Sequence, residues 1–269
     1  MDRFDRTAGG DIPGKGSATL VPLRDWDAVI LCGGLGSHLR PAMEERPRCL
    51  SPVAGRPFLE YVLLQLRSFG LRNVTVCVNY LNHRVPEYFE TGDRWDMTLT
   101  YLTARQALGT AGALKRAQGV ICSSSFLVLN GDSLFDIDLK RLLEFHQVRG
   151  AQATVALATV RSPEGHAEVH TDEAGNVTGF LERRGTGHAA AAARERCARV
   201  NGGVYVLNRE ILDEIPAAPP PVSLESDVLP RLIGRRLCGL PAEGRFIDIR
   251  VPQDYSQAQR ELPGRFVSR

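Results

Sequence analysis

An α/β fold with a mostly parallel central sheet between layers of helices is predicted by three features of the 269-residue sequence. From Asp27 to Gly150, short apolar runs alternate with segments of helical spacing, the order that produces parallel strands joined by helical crossovers. The first apolar run, Ala28 to Cys32, passes straight into the glycines Gly33, Gly34 and Gly36. A later run ends in Gly131-Asp132-Ser133, which puts a carboxylate at the C-terminal end of a strand, where ligands of open α/β sheets collect.

Taken in order, residues 1–22 carry GGDIPGKGS, show no periodicity and read as a flexible N-terminal tail. A strand follows over 27–31. The next helix, near 57–69, rests on Phe58, Leu59, Val62, Leu63, Leu66 and Phe69, which fall on one face and form core. Strands over 73–79, 97–102 and 125–130 then alternate with helices near 83–90, 110–118 and 139–148, the last beginning at Asp136-Ile137-Asp138. After Gly150 the texture turns β-rich, through ATVALATV, then AEVHTDEAGNVTGFLE with a turn at Ala174-Gly175-Asn176, then VNGGVYVL. Segments 185–199 and 216–223 are compositionally biased, lack an apolar face and read as surface connections. Ser223 is placed to cap a short helix through Leu232, with Glu225 and Asp227 in its first turn. A strand over 245–249 and a helix near 252–261 close the chain. The whole reads as one domain over 23–269, in halves 23–150 and 151–269.

Composition narrows the function classes. At 43% apolar residues the chain can bury a sizeable core. Its 33 basic and 31 acidic residues leave a net charge of +2, and the arginines are scattered rather than striped, which argues against nucleic acid as a partner. No apolar run reaches membrane-spanning length and the N-terminus is not signal-like. Cys32, Cys49, Cys77, Cys122, Cys197 and Cys238 show no C-x-x-C spacing and read as buried thiols of a reducing compartment, so the expected location is the cytoplasm.

The glycine loop is suited to phosphate, because without Cβ atoms the backbone turns tightly and presents N–H groups to an anion. It is not a dinucleotide fingerprint: no third glycine stands near Leu39, and Arg56 occupies the region about 20 residues on where an acidic residue belongs. No Gly-Lys-Ser/Thr follows, which excludes a Walker loop. Asp132 either caps its turn or binds Mg²⁺. Asp248, at the end of the apolar run in GRFIDIR, favours the metal, since Mg²⁺ takes few protein carboxylates and completes its shell from substrate phosphates. Gly109, Thr110 and Gly112 form a loop opening into a helix whose N-terminal amides can receive a base edge or phosphate, or simply start the helix. Asn201 to Leu207 places small residues just before a strand, for close ligand approach or for a bulge.

GGLGSHLRP, RPRCLSPVAGRPFLEY, LGTAGALKRA, FLVLNGDS, FLERR, NGGVYVL, SLESDVLP and FIDIRVPQDYSQAQ, in this order from about Asp27 to Leu262, resemble the sugar-1-phosphate nucleotidyltransferase family. Within it, ILCGG, the SLE segment and FIDI-x-VP-x-DY are most similar to the D-glycero-D-manno-heptose 1-phosphate guanylyltransferases. The resemblance implies a Rossmann-like GT-A nucleotidyltransferase fold, with a nucleotide-binding half over 23–150 and a sugar-binding half over 151–269. It implies an Mg²⁺-dependent reaction in which a nucleoside triphosphate, best matched by GTP, and a sugar 1-phosphate, best matched by heptose 1-phosphate, give a nucleotide sugar and pyrophosphate. A homo-oligomer is the family-level expectation.

Carried over by position, the resemblance assigns Cys32, Gly33, Gly34, Gly36, Ser37, Gly109 and Thr110 to the nucleotide, and Glu182, Asn201 and Gly202 to the sugar. It assigns Asp132 and Asp248 to the metal, and His38, Arg48 and Asp132 to catalysis. His38 stands where the family usually has arginine, and Arg48 where it has lysine. A neutral imidazole lacks the forked, permanent charge of a guanidinium, and losing one such donor costs about 3 kcal/mol of transition-state stabilisation. Ala104, His166-Ala167, Glu182-Arg183 and Arg250 also depart from the family's pattern, Arg250 replacing a glycine. Two readings follow: an enzyme in which His38 is charged by bound phosphate or Arg40, Arg46 or Arg250 supplies the missing charge, or a catalytically impaired paralogue that binds nucleotide or nucleotide sugar and acts as a regulator or partner.

Overall fold

The computed structural model describes residues 25–33, 47–79, 83–161, 163, 165–182 and 197–265. The expected tail over 1–22 lies outside them, as do Gly34, Gly36, Ser37 and His38.

The chain runs β1 (Ala28–Cys32), β2 (Pro52–Val53), β3 (Arg56–Pro57), α1 (Phe58–Ser68), β4 (Asn73–Asn79), α2 (Arg84–Phe89), β5 (Thr98–Ala104), α3 (Gly109–Ala117), β6 (Ser125–Asn130), β7 (Ser133–Asp136) and α4 (Leu139–Val148). It continues with β8 (Ala153–Val160), β9 (Ala167–Thr171), β10 (Val177–Glu182), β11 (Ala198–Asn208), α5 (Ile211–Glu214), β12 (Leu237–Pro241), β13 (Arg245–Asp248) and α6 (Pro252–Glu261). Nine strands form one sheet in the order β10-β9-β11-β6-β1-β4-β5, with β8 against β11 and β12 against β8. The stretch β6-β1-β4-β5 is parallel throughout, and β11 joins it antiparallel to β6.

All five residues of β1 are buried, as a parallel strand covered on both faces must be, and this explains its unbroken apolar run. Ala28, Ile30 and Cys32 point into the layer built from α1, α4 and α6, whereas Val29 and Leu31 point into the layer of α3 and α5. The apolar stripe of α1 delivers Phe58, Leu59, Val62, Leu63 and Leu66 fully into the first layer. From the same helix the buried Gln65 donates to the carbonyl of Phe135, 2.6 Å away, tying the helix to β7. Among the described residues, no helix is long and apolar enough to cross a membrane.

Four local readings need correction. The residues Asn201 to Gly203 lie inside β11 rather than before a strand; the register against β8 shifts between Asn201 and Tyr205, and Gly203 takes a φ of +70°, which marks a bulge. Asp138 caps α4, accepting from the amides of Lys140 and Arg141, but Asp136 ends β7 instead of opening the helix. The segment capped by Ser223 is a π-helical turn over Leu224–Val228 followed by a 3-10 turn over Leu229–Leu232. The connection over 216–223 is not wholly superficial, because Val222 is buried and its backbone bonds to Leu108, Ala111 and Gly112.

The buried His146 on α4 accepts or donates at both ring nitrogens, 2.9 Å from Thr154 Oγ1 and 2.9 Å from Asn208 Oδ1. Since an amide oxygen only accepts, Nε2 carries the proton and Nδ1 accepts from the threonine hydroxyl. Burial pushes the imidazole below its ordinary pKa, with the Asn208 bond opposing. A histidine depressed in the fold destabilises as it protonates, so stability is held above the unfolded value of about 6.5 and falls as the pH drops below it. Urea midpoints measured across this range should decline in the wild type and less so in His146→Gln.

Candidate functional site

A cavity of about 570 Å³ opens where β1, β4, β5 and β6 end, between the start of α3, the β9 and β11 side of the sheet and Arg250, just past β13, which forms a separate two-stranded ribbon with β7. Parallel strands put their C-terminal ends on one edge, which is why Gly33, Asn79, Ala104 and Asp132, far apart in sequence, share its wall. Among the described residues, Arg48, Arg116 and Arg250 are the arginines that line it, and Asp132 and Glu225 the carboxylates.

At the sheet edge, β13 pairs antiparallel with β7 so that Asp248 stands opposite Ser133. The amide of Ile249 bonds to the carbonyl of Asp132, 3.1 Å away, which brings the backbone after Asp248 beside Asp132. Each is already held by a guanidinium. Arg48 Nε lies 3.0 Å from Asp132 Oδ2, as an ion pair outside hydrogen-bonding angles. Asp248 is fully buried, and its Oδ1 accepts from the Arg250 amide and Nε, both at 2.9 Å. Its Oδ2 accepts from Arg250 Nε at 3.0 Å and Nη2 at 2.5 Å, and lies 3.6 Å from His166 Nε2. The backbone amide of Asp248 donates to Asp254 Oδ2.

Burial raises the Asp132 carboxyl above its ordinary range; Arg250 and Arg48 pull it down and Asp248 pushes it up. Burial by itself would lower the Arg250 pKa, but its bonds to Asp248 and the charges of Asp248 and Asp132 outweigh this and raise it. Both oxygens of Asp248 are thus taken by Arg250, whereas Asp132 has one oxygen, Oδ2, beside Arg48; the pair expected to hold Mg²⁺ already faces two guanidinium groups.

The opposite wall is organised by Glu225, which the sequence suggested only as a first-turn acid. Its Oε2 accepts from the hydroxyls of Thr110 (2.6 Å) and Ser223 (3.0 Å), and its Oε1 from Tyr205 (3.0 Å). Thr110, expected at the nucleotide, lines the cavity, and its Oγ1 also accepts from the Leu224 amide, joining α3 to the capped turn. Burial, then the charge of Glu225, keeps the Tyr205 phenol well above its usual pKa and thus protonated. Asn201, expected at the sugar, lines the cavity but donates to Tyr205 Oη and accepts from the Gly203 amide.

The other expected residues divide by packing. Gly33 and Gly109 line the cavity. A Cβ on Gly109, at a φ of +77°, would sit 2.2 Å from the Val222 carbonyl oxygen, so backbone contact already demands glycine there. Gly202 is not among the lining residues; a Cβ would fall 2.4 Å from the ring of Phe135, and core packing accounts for its small size. Cys32 is likewise buried in the core, and hydrogen bonding to Cys49, then burial, raises its thiol pKa well above the ordinary value. Glu182 ends β10 opposite Ala167, and its side chain lies outside the described residues. His166 lines the cavity with neither ring nitrogen hydrogen-bonded among the described residues, packed edge-on against Phe246.

The family model described as Nucleotidyl transferase matches residues 27–261. The D-glycero-alpha-D-manno-heptose 1-phosphate guanylyltransferase of Aneurinibacillus thermoaerophilus is 32% identical over 238 residues, covering 88% of this chain and 98% of its own. The mannose-1-phosphate guanylyltransferase of Mycobacterium tuberculosis is 31% identical over 239 residues, covering 88% of this chain and 64% of its own. Among solved structures, HddC from Yersinia pseudotuberculosis superposes with a TM-score of 0.77 at 25% identity, covering 88% of this chain and 99% of that one.

Proposed function

Because this chain belongs to the nucleotidyl transferase family, we propose that it moves a nucleoside monophosphate from a nucleoside triphosphate to a sugar 1-phosphate. The best-matched pair is GTP and heptose 1-phosphate, the substrate class named for the Aneurinibacillus relative. The observation that carries the reading is the strand-end cavity in which Arg48, Asp132 and Arg250 meet.

A phosphate oxygen of the sugar phosphate bonds to the α-phosphorus as the bond from that phosphorus to the bridging β-phosphate oxygen breaks, and pyrophosphate leaves with the electron pair. The nucleophile is already ionised at neutral pH, so alignment and charge neutralisation supply the catalysis and no general base is needed. In this reading Arg48, steadied by Asp132, and the outward part of Arg250 face the phosphates, and Gly33 offers its amide at the end of β1. The triphosphate enters beside Gly109 and the sugar beside His166 and Asn201. His38 belongs to the same phosphate-binding loop in sequence.

Pyrophosphate release should be measured for GTP, ATP, CTP, UTP and dTTP, each against heptose, mannose and glucose 1-phosphates. GTP with heptose 1-phosphate should be fastest, and release with no pair would overturn the enzyme reading. The guanidinium groups seated on both aspartates favour one alternative, a paralogue that binds nucleotide without transferring it. Thermal stabilisation by nucleotides in the absence of any turnover would identify that case.

A further inference from the structure

We infer that Arg250 is the resident cation of this site: its guanidinium takes the place at Asp248 and Asp132 that a divalent ion would otherwise occupy. Phosphate is then received on arginine, and any Mg²⁺ in the reaction arrives on the nucleotide's own phosphates.

Three observations carry this. First, the Arg250 fork engages both oxygens of Asp248, while its own backbone amide adds a further bond to Oδ1. A planar bidentate pair of this kind is among the strongest side-chain contacts, and here it closes on a carboxylate with no solvent exposure. Second, the neighbouring carboxylate, Asp132, is paired by Arg48, so the two aspartates are matched one for one by two fixed positive charges. A divalent ion inserted between them would have to expel a guanidinium or leave its own charge uncompensated beside two others. Third, the Arg250 side chain remains 46% exposed and lines the cavity, and its Nη1 makes no hydrogen bond among the described residues. That nitrogen is the donor left over for a phosphate oxygen.

The functional half of the inference rests on the proposed transfer of a nucleotide; the occupancy half does not, and it can be tested with the ion alone. The full chain should be titrated with Mn²⁺, free ion being followed by its paramagnetic resonance signal. Wild type should bind Mn²⁺ at least about tenfold more weakly than Arg250→Ala, the low end of what changes around a metal site produce. The site gained in Arg250→Ala should vanish when Asp132→Asn is added. If Arg250→Ala does not fold, Arg250→Gln keeps a donor for Asp248 while removing the charge, and should gain the same site. Tight Mn²⁺ binding by wild type, or no gain in a folded variant, would overturn the inference. Loss of pyrophosphate release with every substrate pair would instead overturn the proposed reaction and leave the titration unaffected.

Discussion

Asp132→Asn is expected to reduce nucleotidyl transfer by about 10²–10³-fold, the loss typical of disabling one preorganised charge donor, without making the protein less stable. The two halves of this expectation have different causes. Arg48 Nε sits 3.0 Å from the Asp132 carboxylate, whose charge holds the guanidinium in place, and an amide at that position cannot hold it by charge. Burial, meanwhile, raises the Asp132 pKa in spite of Arg250 and Arg48. A carboxyl whose pKa rises on folding contributes stability that is present below its unfolded value and lost as the pH rises through the folded one. Once ionised, Asp132 is therefore a cost to the fold, and the neutral amide relieves it. Pyrophosphate release and urea unfolding at neutral pH check both halves; normal turnover in a destabilised Asp132→Asn protein would make Asp132 a structural residue only.

Arg250→Ala is expected to destabilise the fold by about 3 kcal/mol, the lower end of the range for breaking a buried ion pair, because the arginine is itself half-exposed. Asp248 has no solvent exposure, and after the change its side chain would keep only the backbone amide of residue 250 and the imidazole of His166, 3.6 Å away. The double variant with Asp248→Asn should recover much of the loss, since the cost lies in the stranded charge. Urea unfolding of the four proteins gives the coupling directly. A change below about 1 kcal/mol would show a surface pair of no structural weight.

The stripe of α1 and the unbroken apolar run of β1 were legible because burial on one helix face or on both strand faces imposes a local spacing of apolar residues. The carboxylates at Asp132 and Asp248 were legible for a related reason, that each follows directly on an apolar strand. The ribbon of β7 and β13 was harder to see, because β7 is four residues long and turns back within a few residues of β6. Glu225 was read as a first-turn acid of a short helix, and nothing local reveals that it accepts from Thr110, 115 residues away. Glycines misled in the other direction. Gly202 and Gly109 look like ligand clearances in the sequence, yet the ring of Phe135 and the backbone of Val222 already require them to be small.

By itself, then, the sequence determined the alternation of strands and helices and the edge on which the cavity forms, since both depend on spacing along the chain, and its ordered motifs carried the resemblance to the nucleotidyl transferase family. Only the tertiary structure decided what the strand-end aspartates hold. Pairing of β13 with β7 carries Arg250 and Asp248 to Asp132, and the turn before β2 brings Arg48 to the same carboxylate. Charge neutralisation in a buried cluster depends on distance in space, which no local pattern encodes.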